Sequence, residues 1–217
     1  MMILENISLS LQKGKAKDVR TLVQDALDAG LSPREILNSG LIQGMNVIGG
    51  KFKNNEVFVP EVLVAARAMN AGLEILRPVL TQSGVKPIGK AIICTVKGDL
   101  HDIGKNLVKM MLEGQAIDCL DLGVDVDSDT IIAAIKEHEP DLLCLSALLT
   151  TTMIAQKEII ADIERARLRD KVKIMVGGAP VTEAFAREIG ADAYSPDAAS
   201  AAETAVKILT GQVEGNV

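Results

Sequence analysis

Apolar positions in the first part of the chain recur at helical spacing. Val19, Leu22, Val23, Ala26 and Leu27 share one helical face, and Gly30 stands where a helix C-terminus favours glycine. Ser32 and Pro33 then supply an N-cap and a first-turn proline, with Glu35 close to the positive helix end, so the pattern predicts a helix to about residue 51. After Asn54 and Asn55, Pro60 reads as another first-turn proline, followed at helical spacing by Val62, Ala65, Ala66, Met69, Leu73 and Leu76. Four helices over residues 3–84, joined by short loops, predict a small bundle.

Residues 81–90, with Ser83, Gly84, Pro87 and Gly89, interrupt the periodicity and have linker composition. Beyond them the pattern changes. Apolar runs at 91–96, 117–122, 142–146, 172–176 and 193–194 alternate with helical stretches at 104–115, 128–138, 151–169, 181–189 and 196–209. Strand and helix in alternation imply a parallel sheet covered on both faces. The expected fold class is therefore α/β: an N-terminal four-helix bundle over residues 1–86, then a flavodoxin-like (Rossmann-like) doubly wound five-stranded parallel sheet over residues 87–217.

In the common strand order 2-1-3-4-5, ligands bind beyond the carboxyl ends of the strands, where the first and third diverge. The chain's unusual residues fall there. The first predicted strand leads into Gly98-Asp-Leu-His101-Asp-Ile-Gly104-Lys-Asn106, the third into Ser146-Ala-Leu-Leu-Thr150-Thr-Thr152, and the fourth into Gly177-Gly178-Ala179-Pro180.

Composition narrows the chemistry. Apolar residues make up 48% but aromatics only 2%, and the formal charge is −6, so the basic, aromatic footprint of a nucleic-acid binder is missing. Cys94, Cys119 and Cys144 lie far apart inside apolar runs and read as small buried hydrophobes in a reducing compartment. No apolar run approaches the roughly 20 residues of a membrane span, and Glu5 stands where a signal peptide would be basic. The expected location is cytoplasmic, without nucleic-acid or membrane partners.

His101, one of two histidines, can be read as a metal ligand, a general base or an ordinary loop residue. Asp99, two residues upstream, favours the first reading, because a ligating imidazole usually gives its other N–H to a carboxylate. One histidine is too few for a zinc site. A metal would have to arrive with most of its ligands supplied, as in a macrocycle. Structural readings stand beside each remaining feature: a plain turn for Gly177-Gly178, helix capping for Ser146 and Thr150, a helix-end cap for His138, and surface positions for Lys105 and Asn106, the latter also a candidate to face a ligand. Residues 164–173 read as a solvated face, and no Walker-type phosphate loop occurs.

Taken together, Asp99-Leu-His101-Asp-Ile-Gly104, Ser146-x-Leu148-x-Thr150 and Gly177-Gly178 resemble the three-part signature of base-off/His-on cobalamin-binding domains. These occur in cobalamin-dependent methionine synthase, in some mutases, and in the corrinoid proteins of methanol, methylamine and glycine betaine methyltransferase systems. The stretch Lys51-Phe52-Lys-Asn-Asn-Glu-Val-Phe58-Val59-Pro60-Glu61-Val62-Leu63 and its continuation to Met69 is similar to the helical cap that precedes the domain in methionine synthase and the free-standing corrinoid proteins, and which mutases lack.

The resemblance implies a cobalamin or related corrinoid cofactor, with cobalt held from below by His101 and a ligand triad continued by Asp99 and Thr152. Methionine synthase has serine where Thr152 stands. Gly98, Asp99, Leu100, His101, Asp102, Ile103 and Gly104 would contact the cofactor, as would Ser146, Leu148, Thr150, Thr151, Gly177, Gly178 and Ala179 along the nucleotide-tail slot. Tyr194, Asp197 and Ala198 would close its far end, and Phe52, Val59 and Met69 would shield the upper face. Such a protein catalyses nothing alone. It carries a methyl group between a substrate-specific methyltransferase and an acceptor methyltransferase, with a reductive activase as a further partner, and residues 81–90 would form the hinge. The competing expectations are a cobalamin-sensing regulator and a cofactor-free flavodoxin-like interaction module.

Overall fold

The structure, a computed structural model, describes residues 2–82 and 86–212. It divides into two compact units, Met1–Pro87 with Gly114–Ala116, and Ile88–Glu113 with Ile117–Val217. Of the expected hinge, residues 83–85 lie outside the described residues.

The first unit contains α1 (Met2–Gln12), α2 (Ala16–Asp28), α3 and α4 (Val59–Gln82). α3 begins as an α-helical turn (Pro33–Glu35), passes through a π-helical stretch (Ile36–Ile42) and resumes as α-helix (Gln43–Lys53). Its start follows from the sequence, since the Ser32 hydroxyl accepts the Glu35 N–H at 3.2 Å. The π-helical stretch carries no periodic signature that the spacing of apolar residues reveals. Ile7, Leu11, Val19, Val23, Leu41, Met45 and Leu76 form the buried interior. α4 approaches this interior closely at Gly72, where a Cβ would lie 2.7 Å from Leu41 Cδ2.

The second unit is a five-stranded parallel sheet in the order β2-β1-β3-β4-β5. Its strands are β1 (Lys90–Val96), β2 (Asp118–Val126), β3 (Leu142–Ser146), β4 (Lys173–Gly177) and β5 (Ala193–Tyr194). Helices α5 (Ile103–Glu113), α6 (Ser128–His138), α7 (Ile154–Arg165), α8 (Glu183–Glu188) and α9 (Ala198–Leu209) alternate with them. Alternate side chains of each strand serve opposite faces. Ile92, Cys94, Leu143, Leu145, Ile174 and Val176 pack with Ile131 and Ile135 of α6 and Ile159 and Ile163 of α7. α5 and α9 pack together with buried Leu112, Ala201 and Ala205. Cys94 and Cys144 are buried, Cys119 is half-buried, and burial pushes the first two thiols up, Cys94 to about 12. They behave as inert hydrophobes.

Three elements depart from the sequence expectation in their bounds for reasons the hydrogen bonds show. The helix predicted over 151–169 is shorter, because Thr152 and Met153 N–H both bond Leu149 O in a turn, and the end is closed by Leu168 N–H to Ile163 O with Arg167 left-handed at φ 57°. α5 likewise ends at Glu113, before a left-handed Ala116 at φ 60°. β2 runs to Val126 instead of ending at 122, and it carries two irregularities. One added β2 residue separates the partners of Ile93 and Cys94, and another those of Cys94 and Val96. Those extra residues bring the end of β2 beside the loop after β1.

Candidate functional site

The carboxyl ends of β1, β3 and β4 lie side by side, with Thr95 opposite Ser146 and Ser146 opposite Gly177. Asp99 is the hub of the loops that leave them. Only 1% exposed, it accepts from the His101 ring Nδ1 and the His101 backbone N–H, both at 3.0 Å on Oδ1. Its Oδ2 accepts from the Leu148 N–H and the Thr152 hydroxyl, both at 2.7 Å. The β1 loop and the β3 loop are thereby joined through one carboxylate. Thr95 completes the turn by donating its hydroxyl to His101 O at 2.8 Å.

Burial raises the Asp99 carboxyl, but the hydrogen bonds from Leu148, Thr152 and His101 overcome it and hold it down at about 2. An ionised Asp99 can only accept, so Nδ1 donates in this hydrogen bond and Nε2 is the ring nitrogen left to face a metal. The ring is 57% exposed. Because the folded carboxyl titrates below its ordinary 3.8, its contribution to stability is full above about pH 4 and is lost as pH falls toward 2. Denaturant midpoints of the wild type and Asp99→Asn are expected to differ most at neutral pH and to converge over that interval. A gap independent of pH would contradict the linkage.

The other expected site residues are found as follows. Leu100 and Ile103, on either side of His101, are 72% and 77% exposed, and Leu148 is also exposed. Asp102 is exposed and accepts from Asn106 Nδ2 at 3.0 Å. Gly98 is left-handed at φ 81°, and a Cβ on Gly104 would meet nothing within 4 Å. Ser146 is half-buried, while Thr150, Thr151 and Ala179 are exposed. Gly178, at φ 126°, admits no side chain, since a Cβ would sit 1.7 Å from Ala147 O. Gly177 would bring a Cβ within 3.1 Å of Ser195 O. Tyr194 is half-buried on β5, Ala198 is buried, and Asp197 caps α9 by accepting from Ser200 N–H at 2.8 Å. In the helical unit, Phe52 and Val59 are half-buried and Met69 is in the buried interior. His138 is the last residue of α6, before a left-handed Glu139.

The surface reading of Lys105 is corrected. It is 3% exposed, with Nζ bonded to both carboxylate oxygens of Asp121 at 2.7 and 2.6 Å and to Asn106 Oδ1 at 2.8 Å. Burial raises the Asp121 carboxyl, but Lys105 and the Gly123 N–H lower it further. This pair ties α5 to β2. Gln156 was not foreseen either: fully buried, it donates to Leu145 O at 3.0 Å and Gly177 O at 3.1 Å and so spans the ends of β3 and β4. Its helical spacing from Ile159, Ile160 and Ile163 was the available signal.

The donor set suits a macrocyclic metal cofactor. One oriented imidazole nitrogen could ligate its metal, and Leu100, Ile103 and Leu148, on the same two loops, are exposed apolar residues. Among the described residues, no group of three or more His, Cys, Asp or Glu converges to hold an ion unaided. A Cβ on Gly104 would meet nothing within 4 Å, so that glycine leaves room beside the loop.

A parallel doubly wound sheet with a carboxylate-oriented histidine at its switch point defines a ligand-binding α/β protein of the Rossmann-like class. Comparison with known proteins specifies it further. Residues 89–206 and residues 3–77 each match a B12 binding domain family. Monomethylamine corrinoid protein 1 of Methanosarcina mazei is 45% identical over 193 residues, covering 87% of this chain and 88% of that protein. A corrinoid protein of Desulfitobacterium hafniense is 39% identical over 96% of this chain and 98% of its own length. A crystal structure of the methanol:cobalamin methyltransferase complex from Methanosarcina barkeri contains a chain that superposes with a TM-score of 0.84 at 31% identity, over 97% of this chain and 80% of that one. The chain belongs to the corrinoid-protein family built from these two B12 binding domains. No helix among the described residues is long and apolar enough to cross a membrane.

Proposed function

We propose that the protein is a methyl carrier that binds cobalamin, or a related corrinoid, in the base-off/His-on state and shuttles between two methyltransferases. The observation that carries this reading is the His101 ring, held by Asp99 at Nδ1 with its side chain more than half exposed, on a loop whose Leu100 and Ile103 are exposed as well. When bound, the cofactor's cobalt supplies the chemistry by accepting and releasing a methyl group. The chain's residues orient and protect. His101 would hold the cobalt through Nε2, with Asp99 bonded to the ring at Nδ1 and Thr152 supporting Asp99 at its other oxygen.

The slot for the displaced nucleotide tail is assigned to Gly104, Ser146, Leu148, Thr150, Gly177 and Gly178, with Tyr194 to Ala198 at its far end. Phe52 and Val59, both half-buried, and Met69, buried in the helical unit, are assigned to shielding the methyl group. The names of the relatives favour a methylamine or methanol methyltransferase as the loading partner, with an acceptor methyltransferase and a reductive activase completing the system.

Purified protein loaded with cobalamin is expected to show the absorption spectrum of histidine-ligated, base-off cobalamin, and colourless protein that takes up no cobalamin would overturn the reading. In Asp99→Asn, the share of cofactor carrying the histidine ligand is expected to fall, consistent with the roughly 10–100-fold cost of losing an outer partner of a metal ligand. The pH dependence of ligation should shift with it. Unchanged ligation at every pH would remove Asp99 from the proposed triad.

A further inference from the structure

Asp125 sits near the end of β2, outside every motif that the sequence draws attention to, yet it holds the histidine loop from both sides. Its Oδ1 accepts the Gly98 N–H at 2.7 Å, and its own N–H donates to Asp99 O at 3.0 Å. The Gly98-Asp99 segment is therefore bracketed by one residue of a neighbouring strand, at the position from which Asp99 reaches the His101 ring. Asp125 adopts a left-handed backbone, φ 55°, which costs most side chains energy and which Asp, Asn and Gly tolerate. The two irregularities in the β1–β2 register bring it there. Bulges that re-aim a side chain cluster beside functional sites.

We infer that Asp125 is a positioning residue for the cobalt ligand: it fixes the Gly98-Asp99 backbone so that the His101 ring keeps its Nδ1 contact with Asp99 whether or not Nε2 is bound to metal. This deepens the proposed function and rests on it. The physical argument is one of loop entropy. Leu100, His101, Asp102 and Ile103 are all exposed, so few packing contacts restrain the loop. Anchorage comes from hydrogen bonds to its backbone: Thr95 to His101 O, Asp99 to His101 N–H, and Asp125 to Gly98 and Asp99. The first two act within the loop and the strand leading into it. The Asp99 side chain also ties the loop to the β3 loop, through the Leu148 N–H and the Thr152 hydroxyl, and the Asp125 pair is its tie to β2. Without it, Gly98, already left-handed and free of side-chain restraint, becomes a pivot.

Asp125→Gly is the discriminating variant, because glycine takes the left-handed backbone without strain and deletes only the acceptor. Asp125→Asn keeps both the backbone preference and an acceptor oxygen, and serves as rescue. The first measurement uses the cofactor-free protein. With only two histidines in the chain, ring ¹⁵N NMR resolves His101, which should show a locked Nδ1–H tautomer in the wild type and Asp125→Asn, and a mixture in Asp125→Gly. Amide exchange at Gly98 should accelerate in parallel. The second measurement loads each variant with cobalamin, where Asp125→Gly is expected to reduce the His-ligated population about 10-fold, an effect of the size seen for outer partners of metal ligands.

A locked His101 tautomer and unchanged Gly98 exchange in Asp125→Gly would overturn the inference. So would normal ligation in a variant whose loop has become mobile. Wild-type protein with a locked tautomer but no histidine ligation of added cobalamin would instead overturn the carrier reading, together with the ligand role given to Asp125, while leaving the loop anchorage measured.

Discussion

Replacing His101 with alanine is expected to eliminate the histidine-ligated spectrum of bound cobalamin at every pH while leaving the protein folded. The ring is more than half exposed and packs no core, so its removal opens no cavity. What it removes is the single oriented Nε2, and among the described residues no other histidine stands at the strand ends: His138 closes α6, at the far end of that helix from the β2 terminus. The loss should exceed the roughly 10–100-fold expected for an outer partner such as Asp99. Binding itself should weaken without vanishing, since the residues proposed to line the tail slot remain. Free imidazole, added to the variant, should restore nitrogen ligation through the exposed site. Retention of a histidine-ligated spectrum in His101→Ala would show that another residue supplies the ligand.

Gly178→Ala is expected to cost more stability than any other single substitution at the site. A Cβ there would lie 1.7 Å from Ala147 O and 2.7 Å from Ala147 C, so the obstacle is backbone and no side-chain rotation relieves it. The residue's φ of 126° adds strain for any L side chain. Ala147 also donates its N–H to Gly177 O at 3.2 Å, so a displaced Ala147 carries the β3–β4 junction with it. A loss of about 3 kcal/mol or more is expected, read as a lowered urea midpoint or insoluble protein. Gly104→Ala is the control, because its Cβ meets nothing within 4 Å and should leave the midpoint close to wild type. Equal midpoints for the two variants would refute the steric account.

Much of the architecture was legible before any coordinates. Apolar runs alternating with helical periods specify a parallel sheet because each buried strand must be covered on both faces. The strand order then follows a common pattern and brings His101, Ser146 and Gly177 to one edge. Ser32 capping α3 and Asp197 capping α9 are local hydrogen bonds, and Ser32 at least was readable from its neighbours.

The misses have a common physical origin. Lys105 looked like a surface residue because its partner, Asp121, lies 16 positions away on another strand. Asp125 fell outside both the run at 117–122 and the helix at 128–138, because a bulge leaves no trace in a period-two pattern except to break it. Gln156 stands at helical spacing from Ile159, Ile160 and Ile163, which marks it as facing inward, but the carbonyls of Leu145 and Gly177 that it serves come from two other strands.

The histidine loop divides along the same line. By itself the sequence determined that a histidine follows a buried strand, with a carboxylate two residues before it and glycines on either side; these are short-range relations that chain geometry preserves. Only the tertiary structure decided that one oxygen of Asp99 takes the His101 ring and the other takes Leu148 and Thr152, some fifty residues later, and that Asp125 holds the loop from β2. Hydrogen bonds between distant segments depend on strand register and on bulges, which are set by packing of the whole sheet, so no local pattern of residues encodes them.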